Sequence, residues 1–375
     1  MTKQQYSIGL TILFCGFLGG IMALNLITPD QIKSHNENRQ LAQMPELTTE
    51  TIMDGSFMTK FETYVNDQFV GRDMWVALKT NTEWLLGKKE NNDVFFASED
   101  TLINRVNTPD PTEIEEKANY VNTLTEKIDL PIYVGIIPTS AEIWQDRLPN
   151  QATTADEEEI INHFYANLND DLTTLPLLET LTAQADQEIY YRTDHHWTSL
   201  GAYHGYTAIA QGMGLKAPPL DSYTPNVVST NFNGTIFSTS GVRWATPDTI
   251  TTYVPEDGIE VTTNFKGTPE EGTLYVEPYL SEKDQYSFFL GGNQPQCIIK
   301  TENVDAPSIL VIRDSYADSL APFLTENFSE IHLLDLRYFN AGVSTYLQMY
   351  PLDQVLVLYS ITNLINDNNF FKMGM

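Results

Sequence analysis

The chain has 375 residues and carries 50 acidic against 21 basic side chains, a formal charge of −29 at pH 7. Such a surface repels phosphate backbones, which excludes nucleic acid as a partner. Past residue 29 the one cysteine is Cys297, so that portion forms no intrachain disulfide and must rely on a hydrophobic core.

Residues 6–29, "YSIGLTILFCGFLGGIMALNLITP", are apolar, and no charge occurs between Lys3 and Asp30. About 20 such residues in a helix cross a bilayer. A secretory signal has a shorter apolar core and a small-x-small cleavage site. No clean site of that kind follows Gly20, and Leu13-Phe14 ahead of Cys15 does not suit a lipoprotein signal. The reading is an uncleaved membrane anchor over residues 1–29, with cleavage as the alternative. Lys3 favours an inside N-terminus, which puts the bulk of the chain outside the membrane. An exported chain without disulfides suits a bacterial envelope.

Residues 30–92 read as a polar arm followed by packing helices. Phe57, Phe61, Tyr64, Val65 and Phe69 recur at helical spacing, and Trp75, Leu78, Thr82 and Leu85 continue the pattern after a break at Gly71. From residue 93 to 375 strands alternate with helices. "DVFFA" and "TLI" are short strands. "DPTEIEEKANYVNTLTEKI" is a helix capped by Asp110. "LPIYVGIIPTS" is a buried strand, and "EEEIINHFYANLN" and "LPLLETLTAQA" are helices. "QEIYYR" is a strand leading into "TDHHW", and a helix capped by Thr198 or Ser199 leaves it. Residues 217–300, rich in Thr, Asn, Pro and Gly, form a β-rich insertion. "PSILVIRDSYADSLAPFLTENF", "EIHLLDLRYFN", "VSTYLQMYPLD" and "QVLVLYSITNLI" then give strand, helix, strand, helix, strand. That succession argues for a parallel sheet with crossover helices.

In such sheets the active site lies beyond the carboxyl ends of the strands. The segments around Ser140, Ser315-Tyr316, Arg337-Tyr338 and Asn363 end there. Asp194 and His196 are two apart, so an extended backbone puts them on one face and turns His195 away. An Asp that accepts from one imidazole nitrogen leaves the other free to take a proton from a nucleophile. Ser315 sits where a buried strand turns into a helix, where a nucleophile is exposed near backbone N–H groups; a plain helix cap is the competing role. His195, Trp197, Tyr316, Arg337, Tyr338, Asn363 and Ser140 are the further candidates for a substrate or oxyanion site. Trp197 also reads as core packing, and Arg337 as a salt bridge to Asp335. A metal at Asp194, His195 and His196 is the rival chemistry, but His35, His163, His204 and His332 are scattered and form no second ligand cluster.

"TDHHWTSLGAY" and the later "IRDSYADSL" resemble the bacterial DHHW proteins. These in turn are similar to the SGNH hydrolase-like proteins of alginate O-acetylation, with Asp-x-His-Trp-Thr followed much later by a Ser turn. "ENRQLAQMPEL", "NDQFVGRDMW" and "NGTIFSTSG" add to the resemblance, which covers most of the chain after the anchor. It implies an SGNH-like three-layer α/β/α sandwich with a parallel sheet and a permuted motif order, Asp and His before Ser. Arg313 stands where the SGNH pattern has Gly, and the Gly and Asn blocks of its oxyanion hole have no clear match.

The chemistry implied by the resemblance is acyl transfer without cofactor or metal, with Ser315 as nucleophile, His196 as base and acid, and Asp194 orienting His196. It would make the chain an O-acetyltransferase or acetylesterase of a cell-surface polysaccharide or other envelope polymer. The resemblance further implies a multipass membrane O-acyltransferase as acyl donor. The competing reading is a non-catalytic glycan-binding or assembly protein, built on Trp244 and the tyrosines of the insertion.

Overall fold

The computed structural model describes residues 2–34, 36–37 and 39–375. His35, one of the scattered histidines, lies outside the described residues. The chain divides into two compact units, residues 1–88 with 241–243, and residues 89–240 with 244–375.

In the first unit, α1 (Lys3–Ile27) is by length and composition apolar enough to cross a membrane, with a mean hydropathy of 2.2 over its window. Helices α2 (Ser56–Asp67) and α3 (Arg72–Leu85) meet at Gly71, whose φ of +66° suits a residue without Cβ. Two of the quoted family-like segments join here by charge. Arg39 lies 2.5 Å from Asp67 Oδ1 and 2.7 Å from Glu37 Oε2, and Arg72 lies 2.6 Å from Glu37 Oε1. The Arg39 guanidinium holds Asp67 below the usual carboxylate range against the opposing effect of burial.

The second unit is a layered α/β body. Its elements are α4 (Pro111–Lys127), β1 (Ile132–Ile137), α5 (Glu157–Ala166), β2 (Leu172–Thr174), α6 (Ser199–Gly212), β3 (Glu260–Asn264), β4 (Glu270–Gly272), β5 (Gln296–Lys300), β6 (Ser308–Arg313), α7 (Tyr316–Leu324), β7 (Glu330–Leu334), α8 (Val343–Met349), β8 (Gln354–Ser360) and α9 (Ile361–Asn366). The strands lie in the order β4-β3-β5-β7-β6-β8-β1-β2. From β7 to β2 every pairing is parallel, and β5, β3 and β4 extend the sheet antiparallel. Half of the β-rich stretch at 217–300 therefore prolongs the main sheet. The other half forms a separate bulged pair, Asn226–Phe232 with Asp248–Thr252.

Alternation along β6 explains the layers. Ile309 and Val311 face a core shared with α6 and α7, while Leu310 and Ile312 face one shared with α4, α5, α8 and α9. A strand covered on both faces reads as a continuous apolar run, which is why "SILVIR" carries no polar alternation. Helix α4 starts as its sequence dictates, with Asp110 accepting from the Thr112 N–H and Pro111 in the first turn.

"QEIYYR" departs from the expected strand. Tyr190 makes an isolated antiparallel bridge to Trp197, and residues between them bend into a loop. The loop is closed by Tyr191 N–H to His196 O at 3.2 Å and Thr198 N–H to Ile189 O at 2.9 Å. The reason is local. The Asp248 carboxylate takes the N–H groups of Arg192 (3.1 Å) and Thr193 (2.8 Å), so they are not available to a ladder.

Candidate active site

Asp194, His196 and Ser315 come together although 119 positions separate the histidine from the serine. Asp194 and His196 meet by a turn rather than by extended backbone. Asp194 Oδ1 accepts both the His196 N–H (3.1 Å) and the His196 ring Nδ1 (2.6 Å). His195 is consequently not turned away, and its ring centroid lies 3.9 Å from that of His196. In a bend of this kind successive side chains share a side, which overturns the alternation expected of a strand.

Asp194 is 1% exposed. Burial alone would raise it, but electrostatic attraction to the His195 and His196 imidazoles and the hydrogen bonds from His196 and Thr235 prevail and hold it well below the usual range. Its oxygens are therefore acceptors only, so His196 Nδ1 carries the proton and Nε2 is the basic nitrogen. Ser315 Oγ stands 2.8 Å from that Nε2. Ser315 opens α7 but makes no side-chain cap, so the competing role for it, a helix cap, is not what its hydroxyl does. It is half-buried and remains open to solvent.

The turn that presents Ser315 is fixed from below. Asp314 Oδ1 accepts the Tyr316 N–H at 3.0 Å, and Oδ2 accepts from Ser360 N–H (2.8 Å), Ser360 Oγ (2.6 Å) and Asn363 Nδ2 (2.8 Å). Asn363, expected near the substrate, spends its amide on this turn. Arg313 is fully buried, with Nη1 3.0 Å from Asp318 and 4.0 Å from Asp335. A buried guanidinium needs such counter-charges.

Arg337 is bound to Asp335 at 2.9 and 2.6 Å and reaches Asn293 Oδ1 at 3.2 Å, which is the salt-bridge role weighed for it. Burial and the His196 imidazole push His195 down, and the Arg337 charge adds to this. Tyr338 is 47% exposed beside Arg337. Ser140 is buried in the first turn of the short helix Ser140–Ile143 and is not a partner of the triad.

Trp197 and Tyr316 bind the loop to α7. Trp197 Nε1 donates to Tyr316 O (2.9 Å) and Ser319 Oγ (3.0 Å), and the Tyr316 hydroxyl donates to His195 O. The Trp197 ring lies so close to α6 that a Cβ at Gly205 would sit 2.6 Å from it.

Sequence reasoning missed Tyr286, Thr235 and Asp248. The Tyr286 ring stacks on His196 at 3.6 Å and 6°, and its hydroxyl donates to Ser315 O at 3.1 Å. Thr235 gives Asp194 Oδ2 its N–H (2.7 Å) and hydroxyl (2.9 Å). With its proton committed there, Thr235 Oγ1 accepts from His195 Nδ1 at 2.6 Å. Gly234 must lack a side chain, since a Cβ would fall 2.3 Å from Asp194. "NGTIFSTSG" carried that signal as a family-like motif without its role.

Asp194, His195 and His196 also bring ligand atoms within 4.8 Å of one another. Hydrogen bonds within the protein already engage both Asp194 oxygens and both His196 nitrogens.

A family model described as DHHW protein matches residues 113–334. A probable alginate O-acetylase, AlgJ, of Pseudomonas syringae pv. tomato is 23% identical over 178 residues, 45% of this chain and 45% of that protein. The chain thus matches about half the length of that relative. A crystal structure of a DHHW family protein from Eubacterium siraeum superposes with a TM-score of 0.68 at 23% identity, covering 76% of this chain and 95% of the other. PatB1 of Bacillus cereus with a sulfonyl adduct gives 0.64 at 24% identity, covering 76% and 99%. These structural likenesses concern the fold.

Proposed function

We propose that this chain, which belongs to the DHHW family, is a serine-dependent acyl-transfer enzyme that acts on a polysaccharide or other polymer of the cell envelope. One observation carries the reading: His196 bridges the buried Asp194 carboxylate at 2.6 Å and the Ser315 hydroxyl at 2.8 Å. A general base must lie within hydrogen-bond reach of the proton it takes and be held in one tautomer, and both conditions hold. The acyl-transfer class is supported further by the Pseudomonas relative, a probable alginate O-acetylase.

Ser315 Oγ attacks the carbonyl carbon of an acyl donor as its proton passes to His196 Nε2. The tetrahedral intermediate collapses when the imidazolium returns that proton to the departing alkoxide, leaving the acyl group on Ser315. An acceptor hydroxyl then gives its proton to His196 and attacks the ester, and Ser315 leaves as the hydroxyl. A sugar hydroxyl as acceptor makes the enzyme an O-acetyltransferase, and water makes it an esterase. Asp194 stabilises the imidazolium in both halves, and Tyr286 covers one face of its ring. Helix α1 anchors the chain, the catalytic unit lies outside the membrane, and a multipass membrane acyltransferase supplies the acyl group.

The test uses the full chain in detergent micelles with a chromogenic acetyl ester and, separately, a sulfonyl fluoride read by intact mass. Turnover and one adduct in wild type, both lost in Ser315→Ala and His196→Ala, are the expected result. A folded wild type with neither turnover nor adduct overturns the reading.

A further inference from the structure

Two cavities away from Ser315 flank one residue, Tyr253. The larger, about 690 Å³, is walled by Tyr223 and Tyr275 and carries Glu256, Glu277 and Glu326. The smaller, about 470 Å³, includes Tyr191, Arg192, Ser199 and Asp248. Tyr253 lines both, so one ring borders the two lobes of the candidate groove.

Three features of the lining point to one ligand class. The first is unsatisfied hydroxyls. Tyr191 and Ser199, 1% and 4% exposed, have buried hydroxyl oxygens without a hydrogen-bond partner. Such groups are costly to leave unpaired, and a polyhydroxylated ligand in the smaller lobe pairs them once the lining side chains turn to expose their oxygens. The second is aromatic surface. Tyr223, Tyr253 and Tyr275 are only partly buried, so they offer ring area to the C–H face of a sugar while keeping a polar edge. Tyr275 is held in place, with its hydroxyl donating to Val254 O at 2.8 Å and its N–H to Glu256 at 2.9 Å.

The third is charge. The ionisable side chains of the larger lobe other than tyrosine are all carboxylates. The one cation of the smaller lobe, Arg192, is committed to Asp248 at 3.4 Å and lies 3.8 Å from Asp100. A polymer of acidic sugars or phosphates is repelled from such a groove, whereas a neutral or amino-bearing sugar is not.

The groove is connected to the triad through a layer of rings. Tyr191 stands edge-on to Tyr286 at 6.4 Å, and Tyr286 stacks on His196. Phe288, two residues beyond Tyr286, lines the larger lobe. Glu326 follows the C-terminal end of α7, whereas Ser315 precedes its first residue. The nine residues of that helix separate the two by about 14 Å of axial rise.

We propose that this groove is a second, non-reacting glycan site that holds a neutral or amino-bearing polysaccharide at a distance from the residue being acylated. The identity of that glycan as the acyl acceptor rests on the function proposed above; the binding itself does not. The experiment is saturation-transfer NMR and calorimetry on the full chain in micelles. The probes are cellopentaose, chitopentaose, its de-N-acetylated form and pentagalacturonate.

At least one of the first three is expected to bind wild type and Ser315→Ala alike. Tyr253→Ala is expected to weaken it by about tenfold, the effect of losing one central aromatic contact. The exposed Glu277→Ala serves as a second variant should Tyr253→Ala fail to fold, and it is expected to weaken the same probe. Pentagalacturonate is expected not to bind. The proposal is overturned if none of the first three binds, if the acidic probe binds as well as they do, if the folded groove variants bind normally, or if Ser315→Ala abolishes binding. Binding that persists in a protein without ester turnover would sink the catalytic reading and leave the groove standing.

Discussion

Replacing Gly234 by alanine tests the triad without touching any of its members. A Cβ there would lie 2.3 Å from Asp194 Cβ and Oδ2 and 2.6 Å from Cγ. Ordinary contact between such atoms needs more than an additional ångström, and neither side can yield cheaply. Asp194 is 1% exposed and tied through both oxygens to His196 and Thr235. The carboxylate must move by something near 1 Å, and a displacement of that size costs on the order of 10²-fold in rate. Complete loss of the orienting carboxylate costs about 10⁴-fold, so Asp194→Ala sets the floor. Ester turnover and the rate of Ser315 sulfonylation should fall together in Gly234→Ala, by a factor between those limits. Overpacking should also lower stability by about 1–3 kcal/mol, read from urea unfolding. A second readout is independent of turnover: the downfield imidazole N–H resonance of the short His196–Asp194 bond should shift or vanish. Full turnover in Gly234→Ala with that resonance unchanged would refute the reasoning.

Other substitutions probe the supports around the triad. Trp197→Phe leaves Tyr316 O and Ser319 Oγ without the indole donor; a loss of about 1–3 kcal/mol in urea unfolding is expected, with a lower kcat than KM change explains. Tyr286→Ala removes the ring stacked on His196 at 3.6 Å, and kcat/KM should drop by roughly 10–100-fold as the imidazole gains freedom, whereas Tyr286→Phe should keep most of it. Glu157 is fully buried, and burial, resisted by the two Thr139 donors, raises it to about 7. The unfolded value is about 4.3, so the folded state holds this proton more tightly. That stability is complete below about pH 4 and is lost as pH rises toward 7, in total on the order of 3 kcal/mol. Urea unfolding across that window should slope downward, and Glu157→Gln should flatten it.

Much of the fold was legible because burial on both faces writes itself into sequence. "SILVIR" and "QVLVLYS" are runs without polar interruption, and both became central strands. The meeting of Asp194 with His196 was legible for a different reason. Asp-x-His allows a carboxylate to reach its own second neighbour in extended chain and in a turn alike, so the pair survived a wrong backbone reading while the placement of His195 did not. What stayed hidden depends on contacts between distant segments. Tyr286 occupies a 3-10 turn amid other aromatics, and nothing in its neighbours distinguishes a ring that meets His196 from one that fills a core. Asp248 opens a strand of polar and β-branched residues, and only the fold reveals that its carboxylate shapes the loop 55 positions upstream.

Asp194 and His196 come from one loop, Ser315 from the turn after β6, and the insertion between them supplies Thr235, Asp248 and Tyr286. The insertion is therefore no ornament on a finished site. Asp248 bends the loop, Thr235 anchors Asp194, and Tyr286 covers the His196 ring. The same segment continues as β3, β4 and β5, which pair antiparallel with one another and, through β5, with β7. The insertion is thus moored by backbone hydrogen bonds to β7, which neighbours β6, the strand that leads to Ser315. A side chain held by a rigid sheet keeps its geometry better than one held by a free loop. Removing the insertion should accordingly do more than uncover the site. It would leave the DHHW loop without the groups that fold it, and Asp194 and His196 would no longer be held in register with Ser315.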